Sequence, residues 1–202
     1  VKFPVTTIFR SLQGEGHFVG YPMTFVRLAG CSVGECSIRN ECDEAPWKAT
    51  DRFGADEIVA HCLLLAPEGV VCITGGEPTD HDLVPLVSGL RDAGYRVHLE
   101  TSGVRSVTGM PLEWLTVSPK TPDYVQREGH TLKVIMRPGM SWSDISALDA
   151  GTSFFHRYLQ PLTQADGTSN VNEVIRLLFD NNFGGIGRWA LSVQAHKTWG
   201  LP

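Results

Sequence analysis

VVCITGGEPTDHDLVPLVSGLRDAGYRVHLETSG, residues 70–103, holds one complete strand-helix-strand unit with its own punctuation. Val70 to Thr74 is a short apolar run rich in β-branched residues, the composition of a strand buried on both faces. Gly75-Gly76-Glu77-Pro78 ends it. A helix is expected from Asp80, a suitable N-cap, through Leu83, Leu86, Val87 and Leu90 on one face to a stop at Gly94. Tyr95 to Glu100 is the next strand. Two strands joined through a helix pair in parallel by a right-handed crossover.

The alternation extends in both directions. Upstream, Met23 to Ala29 reads as a strand and Ala55 to Leu65 as a helix. Downstream, Leu115 to Val117, Thr131 to Ile135 and Arg157 to Gln160 read as strands, and Trp189 to Val193 as the last. Ser141 to Leu148 is a weak helix. Asn170 to Asn181 is a strong one, with Val171, Val174, Ile175 and Leu178 on one face. Helices are absent from the short segments around Leu115 to Val117, where a full barrel needs them. The fold class is therefore α/β, a truncated, partly open (β/α) TIM-like barrel forming a single domain over residues 1–202.

Composition fits this reading. The chain has 202 residues, 42% hydrophobic and 19% charged, with a formal net charge of −5. Its basic residues are scattered, so the field that attracts nucleic acid is missing and no nucleic-acid partner is expected. No uncharged apolar run approaches the roughly 18 residues of a membrane span, and no membrane partner is expected either. The opening residues lack the apolar core of a signal peptide, and a cytoplasmic location is the expectation.

Three of the five cysteines, Cys31, Cys36 and Cys42, fall in a C-x4-C-x5-C run with no histidine nearer than His17 and His61. A secreted disulfide framework uses pairs at wider spacing, so thiols holding a metal or cluster are the better reading. Structural zinc wants four ligands, whereas three thiolates suit an iron–sulfur cluster with one open iron. On spacing alone, cluster, zinc and ordinary thiols all remain open. Cys62 and Cys72 read as core residues.

Position adds more than spacing. Cys31, Gly75 to Pro78, Thr101 to Gly103, Ser118 to Lys120, Gln160 to Leu162 and Gln194 to Lys197 each follow a strand, and Lys133 lies within one. Seven segments thus converge on the carboxyl ends of the strands, where β/α barrels build active sites. In the Gly-Gly-Glu-Pro turn, Glu77 offers a carboxylate to an ammonium group; taken alone, such a turn is more often an ordinary tight turn.

Thr74-Gly75-Gly76-Glu77-Pro78 with a three-cysteine loop resembles radical S-adenosylmethionine (SAM) enzymes. The likeness narrows through Ser11-Leu12-Gln13-Gly14-Glu15-Gly16, Phe25-Val26-Arg27-Leu28-Ala29-Gly30-Cys31, Glu100-Thr101-Ser102-Gly103, Val117-Ser118-Pro119-Lys120 and Ser192-Val193-Gln194-Ala195-His196-Lys197. Together these resemble the 7-carboxy-7-deazaguanine synthase family, from residue 11 to residue 197. The resemblance implies a carbon-nitrogen lyase that contracts 6-carboxy-5,6,7,8-tetrahydropterin to 7-carboxy-7-deazaguanine, releasing ammonia, on the way to 7-deazapurines such as queuosine.

It also implies a [4Fe-4S] cluster, SAM and Mg²⁺ as cofactors, with Cys31, Cys36 and Cys42 on the cluster. Gly76, Glu77, Glu100, Ser102, Ser118, Pro119 and Lys120 would meet SAM, as would the segment Gln160, Pro161, Leu162 and Thr163. Leu12, Gln13, Gly14, Glu15, Thr74, His196 and Pro202 would meet the pterin substrate, and Arg27 its carboxylate, which suits a planar fork of donors. The implied partners are an electron donor such as flavodoxin or ferredoxin and a second copy in a homodimer.

Two departures stand out. The usual cysteine spacing of radical SAM enzymes is C-x3-C-x2-C, and both gaps here are longer. The family's Cys-Asp-Thr, whose hydroxyl meets Mg²⁺, here reads Cys42-Asp43-Glu44, so Glu44 is expected at the magnesium position. Two alternatives stand beside this reading. One is a radical SAM activating enzyme acting on a partner's glycine, which gives no reason for Arg27 or for Gln194 to Lys197. The other is a non-redox zinc-binding β/α protein.

Overall fold

Val26, Leu28, Val71, Ile73, Val97 and Leu99 have no exposed surface, and they alternate with Arg27, Cys72 and His98, which face the other side of their strands. This period of two, on strands covered on both faces, produces the barrel wall. The structure is a computed structural model describing residues 1–34, 36–42, 48–164, 166–181 and 188–202. A long strand, β1 (Lys2–Leu12), pairs antiparallel with β2 (Pro22–Leu28) on one side and β3 (Asp51–Gly54) on the other. From β2 onward the pairing is parallel. It passes through β4 (Val70–Gly75), β5 (Arg96–Thr101), β6 (Trp114–Val117), β7 (Glu128–Met136), β8 (Ser153–Pro161) and β9 (Ala190–Leu191). The sheet order is β3-β1-β2-β4-β5-β6-β7-β8-β9, with β3 and β9 as its edges, so the barrel is open as expected.

Helices cover the outer face. These are α1 (Ala55–Leu65), α2 (Val84–Asp92), α3 (Trp142–Asp149) and α4 (Val171–Asn181), and a short α5 (Ala195–Trp199) follows the last strand. Ile58 and Cys62 of α1, Leu86, Val87 and Leu90 of α2, and Val174 of α4 join the wall residues in one core. Each fully buried Leu or Ile contributes about 1.5–3 kcal/mol to this packing. The connections 102–113 and 118–127 contain no helix. Val107 and Tyr124 from those connections enter the core in its place, and the Tyr124 hydroxyl donates to the Leu148 carbonyl at 2.8 Å.

Three expectations about elements change. Asp80 does not cap α2; it ends a 3-10 turn, Pro78–Asp80, and the helix starts at Val84. Pro85 is the reason, since proline is tolerated only in the first turn of a helix. Trp189 to Val193 contributes only Ala190–Leu191 to the sheet, with Ser192 N–H donating to Leu159 O at 2.9 Å as the last contact. β1 has no counterpart in the expected strands, because a register shift between Val5 and Thr7 breaks its alternation.

The amino-terminal end of the barrel interior is filled by rings. Trp114 stacks on His17 at 4.8 Å and on His130 at 4.7 Å, and His17 lies 4.1 Å from His156. Phe18 sits between Trp114 and His98, at 4.7 and 4.8 Å. This plug closes one end and leaves the carboxyl end as the mouth.

Candidate active site at the carboxyl ends of the strands

The site is built around two glycines. Gly75 has φ +126°, and a Cβ there would lie 2.1 Å from Leu28 O. At Gly76 a Cβ would lie 1.9 Å from Gly30 O and 3.1 Å from Cys31 Cβ. Only glycine allows this approach. In consequence Gly76 N–H donates to Leu28 O at 3.0 Å and Glu77 N–H to Gly30 O at 2.9 Å, fixing the residues that lead into the cysteine loop.

Glu77 is fully buried. Its Oε1 accepts from Thr79 N–H at 3.0 Å, from the Thr79 hydroxyl at 2.6 Å and from the Thr101 hydroxyl at 2.5 Å. Its Oε2 accepts from Ser102 N–H at 2.8 Å and from the Ser102 hydroxyl. The expectation that this carboxylate is offered to a ligand's ammonium is corrected: five protein donors already occupy it, and it ties the loops after β4 and β5 together.

A cavity of about 380 Å³ opens at the mouth. One side is lined by Cys31, Cys36, Cys42, Gly76, Ser102 and Ser118, with Lys120 and Gln160 beside them. Gln13, Gly14, Glu15, Arg27, Thr74 and Glu100 also line it, with His196 and Pro202 from the chain's last segment. Sixteen expected site residues thus share one cavity. Leu12, Glu77, Pro119, Pro161, Leu162 and Thr163 are not among the lining residues. Leu12 and Thr163 retain exposed surface outside it, and Pro161 is paired in β8. Glu44 lies outside the described residues.

The electrostatics are set by one ion pair. Lys133, from β7, donates to Glu15 Oε2, and the Gln194 side chain donates to Oε1 at 3.0 Å. Burial would raise the Glu15 carboxyl, but the Lys133 charge and these hydrogen bonds outweigh it and hold the group at about 2. Burial would likewise lower Lys133, but Glu15 and Glu100 raise it instead, so both groups are charged. Gln13 donates to Glu100 Oε1 at 3.0 Å. Burial, aided by Lys133, lowers Lys120, whose ammonium donates to Ser118 O at 2.8 Å and Ser118 Oγ at 3.0 Å.

The last segment folds onto the loop that follows β1. Ala195 N–H donates to Gly14 O at 2.9 Å, and Gly16 N–H donates to Ser192 Oγ at 2.9 Å. A Cβ on Gly14 would lie 2.1 Å from His196 Nδ1, so this glycine admits the imidazole to the mouth.

Cys31, Cys36 and Cys42 are partly exposed, stand outside any disulfide and line the same cavity. Among the described residues no three His, Cys, Asp or Glu side chains converge on a single ion. Cluster ligands each bind a separate iron through a thiolate, and three thiols lining one cavity supply that donor set.

The chain is 35% identical over 209 residues to a 7-carboxy-7-deazaguanine synthase of Synechocystis sp., with 100% of this chain and 94% of the relative covered. It is 31% identical over 226 residues to a 7-carboxy-7-deazaguanine synthase of Escherichia coli (strain K12), with 98% of each covered. The chain belongs to the 7-carboxy-7-deazaguanine synthase family. The crystal structure of QueE from Escherichia coli matches the fold with a TM-score of 0.70 and 29% identity, covering 96% of this chain and 95% of that one. No protein-family model matches the chain.

Within this radical SAM family fold, several lining residues lay outside the residues expected at the site. Phe25, Thr116 and Ile135 project from β2, β6 and β7 into the cavity. Their signal was available in the strand period, since each lies two residues from an expected or discussed inward position. Val33, Ile38 and Arg39 come from the cysteine loop, where no period exists to reveal them.

Proposed function

We propose that this cavity carries out the reaction of the 7-carboxy-7-deazaguanine synthase family, converting 6-carboxy-5,6,7,8-tetrahydropterin to 7-carboxy-7-deazaguanine with loss of ammonia. The observation that carries the reading is that three thiols and a set of fixed charges share one cavity at the barrel mouth. Cys31, Cys36 and Cys42 would hold a [4Fe-4S] cluster. SAM would lie along Gly76, Ser102, Ser118, Lys120 and Gln160. When bound, the cluster and SAM would supply the one-electron chemistry that breaks a C–H bond of the substrate.

The chain's own residues do the rest. Arg27 clamps the substrate carboxylate; its guanidinium lies over the Phe9 ring at 5.0 Å, which sets the plane of the fork. Glu15, lining the cavity, is an acceptor for the amino and ring N–H groups of a pterin, and Glu100, held by Gln13, would meet SAM. His196 and Pro202 cover the substrate from the last segment. Mg²⁺ takes hard oxygen ligands, and Glu44 is our candidate for one of them.

The chain works as a single domain and as a homodimer, fed by a one-electron carrier such as flavodoxin or ferredoxin. The cytoplasm, which keeps thiols reduced, suits such a cluster. No helix among the described residues is long and apolar enough to cross a membrane.

The test is anaerobic reconstitution with iron and sulfide, followed by turnover with SAM, a reductant and the carboxytetrahydropterin. The expected outcome is a product lighter by ammonia. A chain that assembles the cluster, binds SAM and leaves the pterin unchanged would overturn the assignment.

A further inference from the structure

We propose that Asp80 is a positioning residue that holds the cysteine loop in place before any cluster is bound. The inference rests on the reading of Cys31 as a cluster ligand. Asp80 ends the 3-10 turn that follows Glu77. Its Oδ2 accepts from Ser32 N–H at 2.7 Å, and its Oδ1 accepts from the Ser32 hydroxyl at 2.5 Å. Arg105, from the connection after β5, closes on the same Oδ1 as an ion pair. Three donors therefore meet one carboxylate, and only a carboxylate offers two oxygens with no donor of its own.

Ser32 is the residue after Cys31, and the residues before it are tied as well. Leu28 O accepts from Gly76, Gly30 O accepts from Glu77, and a ring nitrogen of His81 lies 3.2 Å from Ala29 O. Every residue from Leu28 to Ser32 except Cys31 is thus bound to the segment Gly76–His81. Cys31 is held from both sides, and its side chain lines the cavity. Among the described residues beyond Ser32 the loop holds one turn of 3-10 helix, Arg39–Glu41, and the Asp80 contact is its anchor on the barrel next to Cys31. Ordering a ligand in advance removes an entropic cost from binding.

The experiment compares the parent with Asp80→Ala, Asp80→Asn and Arg105→Ala. Two readouts are taken: amide exchange at Ser32 and Val33 in the cluster-free chain, and the rate at which excess iron chelator bleaches the reconstituted chain. Asp80→Ala should speed both by about five- to tenfold, the effect of losing roughly one net hydrogen bond, with the melting temperature of the cluster-free chain unchanged. Asp80→Asn should resemble it, because an amide keeps one acceptor and turns an N–H₂ toward existing donors. Arg105→Ala should have a smaller effect in the same direction. Parent-like exchange and bleaching in Asp80→Ala would overturn the proposal, as would acceleration no larger than a loss of global stability accounts for. If the parent takes up no cluster while Asp80→Ala still frees the Ser32 amide, the loop-holding role stands and the cluster reading fails.

Discussion

Lys133 and Glu15, 118 residues apart in sequence, form an ion pair that joins β7 to the segment following β1. Neither side chain has more than 16% of its surface exposed. Removing one partner deprives the other buried charge of its ion-pair partner, which costs about 3–5 kcal/mol. Lys133→Met and Glu15→Gln should therefore each lower stability by that order in denaturant titration. The double variant should lose less than the sum of the two. A strictly additive double variant would show that the pair is not coupled.

Arg27 lies on β2, four residues before Cys31, and lines the cavity. Losing a charge-assisted clamp in a desolvated site costs about 2–5 kcal/mol of binding. Arg27→Ala should raise the Michaelis constant for the pterin accordingly, while SAM binding and the cluster spectrum stay as in the parent. Arg27→Lys should also suffer, since a point charge does not replace a fork. An unchanged Michaelis constant and turnover in Arg27→Ala would remove it from the substrate site.

The parts of this fold that were legible in sequence are those where one residue's neighbours in the chain are also its structural context. Val70 to Thr74 reads as a buried strand because β-branched residues alternate between two covered faces. α4 reads as a helix because Val171, Val174, Ile175 and Leu178 repeat along one stripe. β1 was not legible, because its bulge shifts the alternation partway along. The start of α2 was legible and misread: Pro85 excludes a helix beginning at Asp80. For the site, strand ends pointed to the mouth, but the role of Glu77 depends on Thr101 and Ser102, which only the fold brings to it. Asp80 likewise reads as a helix cap until Ser32 and Arg105 stand beside it.

Gly76 and Gly89 provide a matched pair of substitutions. A Cβ at Gly76 would lie 1.9 Å from a backbone oxygen, whereas at Gly89, inside α2, the nearest atom is Val59 Cγ2 at 3.4 Å. Gly76→Ala must displace the segment leading to Cys31 and should cost about 1–3 kcal/mol by overpacking. It should also lower the iron retained after reconstitution. Gly89→Ala should be neutral or stabilising by up to about 1 kcal/mol through helix propensity. Equal iron content in parent and Gly76→Ala would mean that the Gly76 to Gly30 approach does not set the loop.

The ring plug at the closed end predicts an acid limb in the stability curve. His98 is held down to about 4, first by burial and then by Arg96 and His130, and burial also lowers His17 and His130. An imidazole in the unfolded chain titrates near 6.5. Below that pH the unfolded chain takes up protons that the folded chain refuses, so stability is complete above 6.5 and falls as pH drops toward 4. For His98 the loss amounts to about 3 kcal/mol, at 1.4 kcal/mol for each pH unit. Glu15, held at about 2, adds its own loss only below its ordinary value of 4.5, so the two windows separate. His98→Phe keeps a ring against Phe18 and removes the titrating nitrogens. Denaturant midpoints of the cluster-free chain between pH 6.5 and 4.5 should then fall less steeply than the parent's. If the two slopes coincide, protonation of His98 is not what weakens the plug.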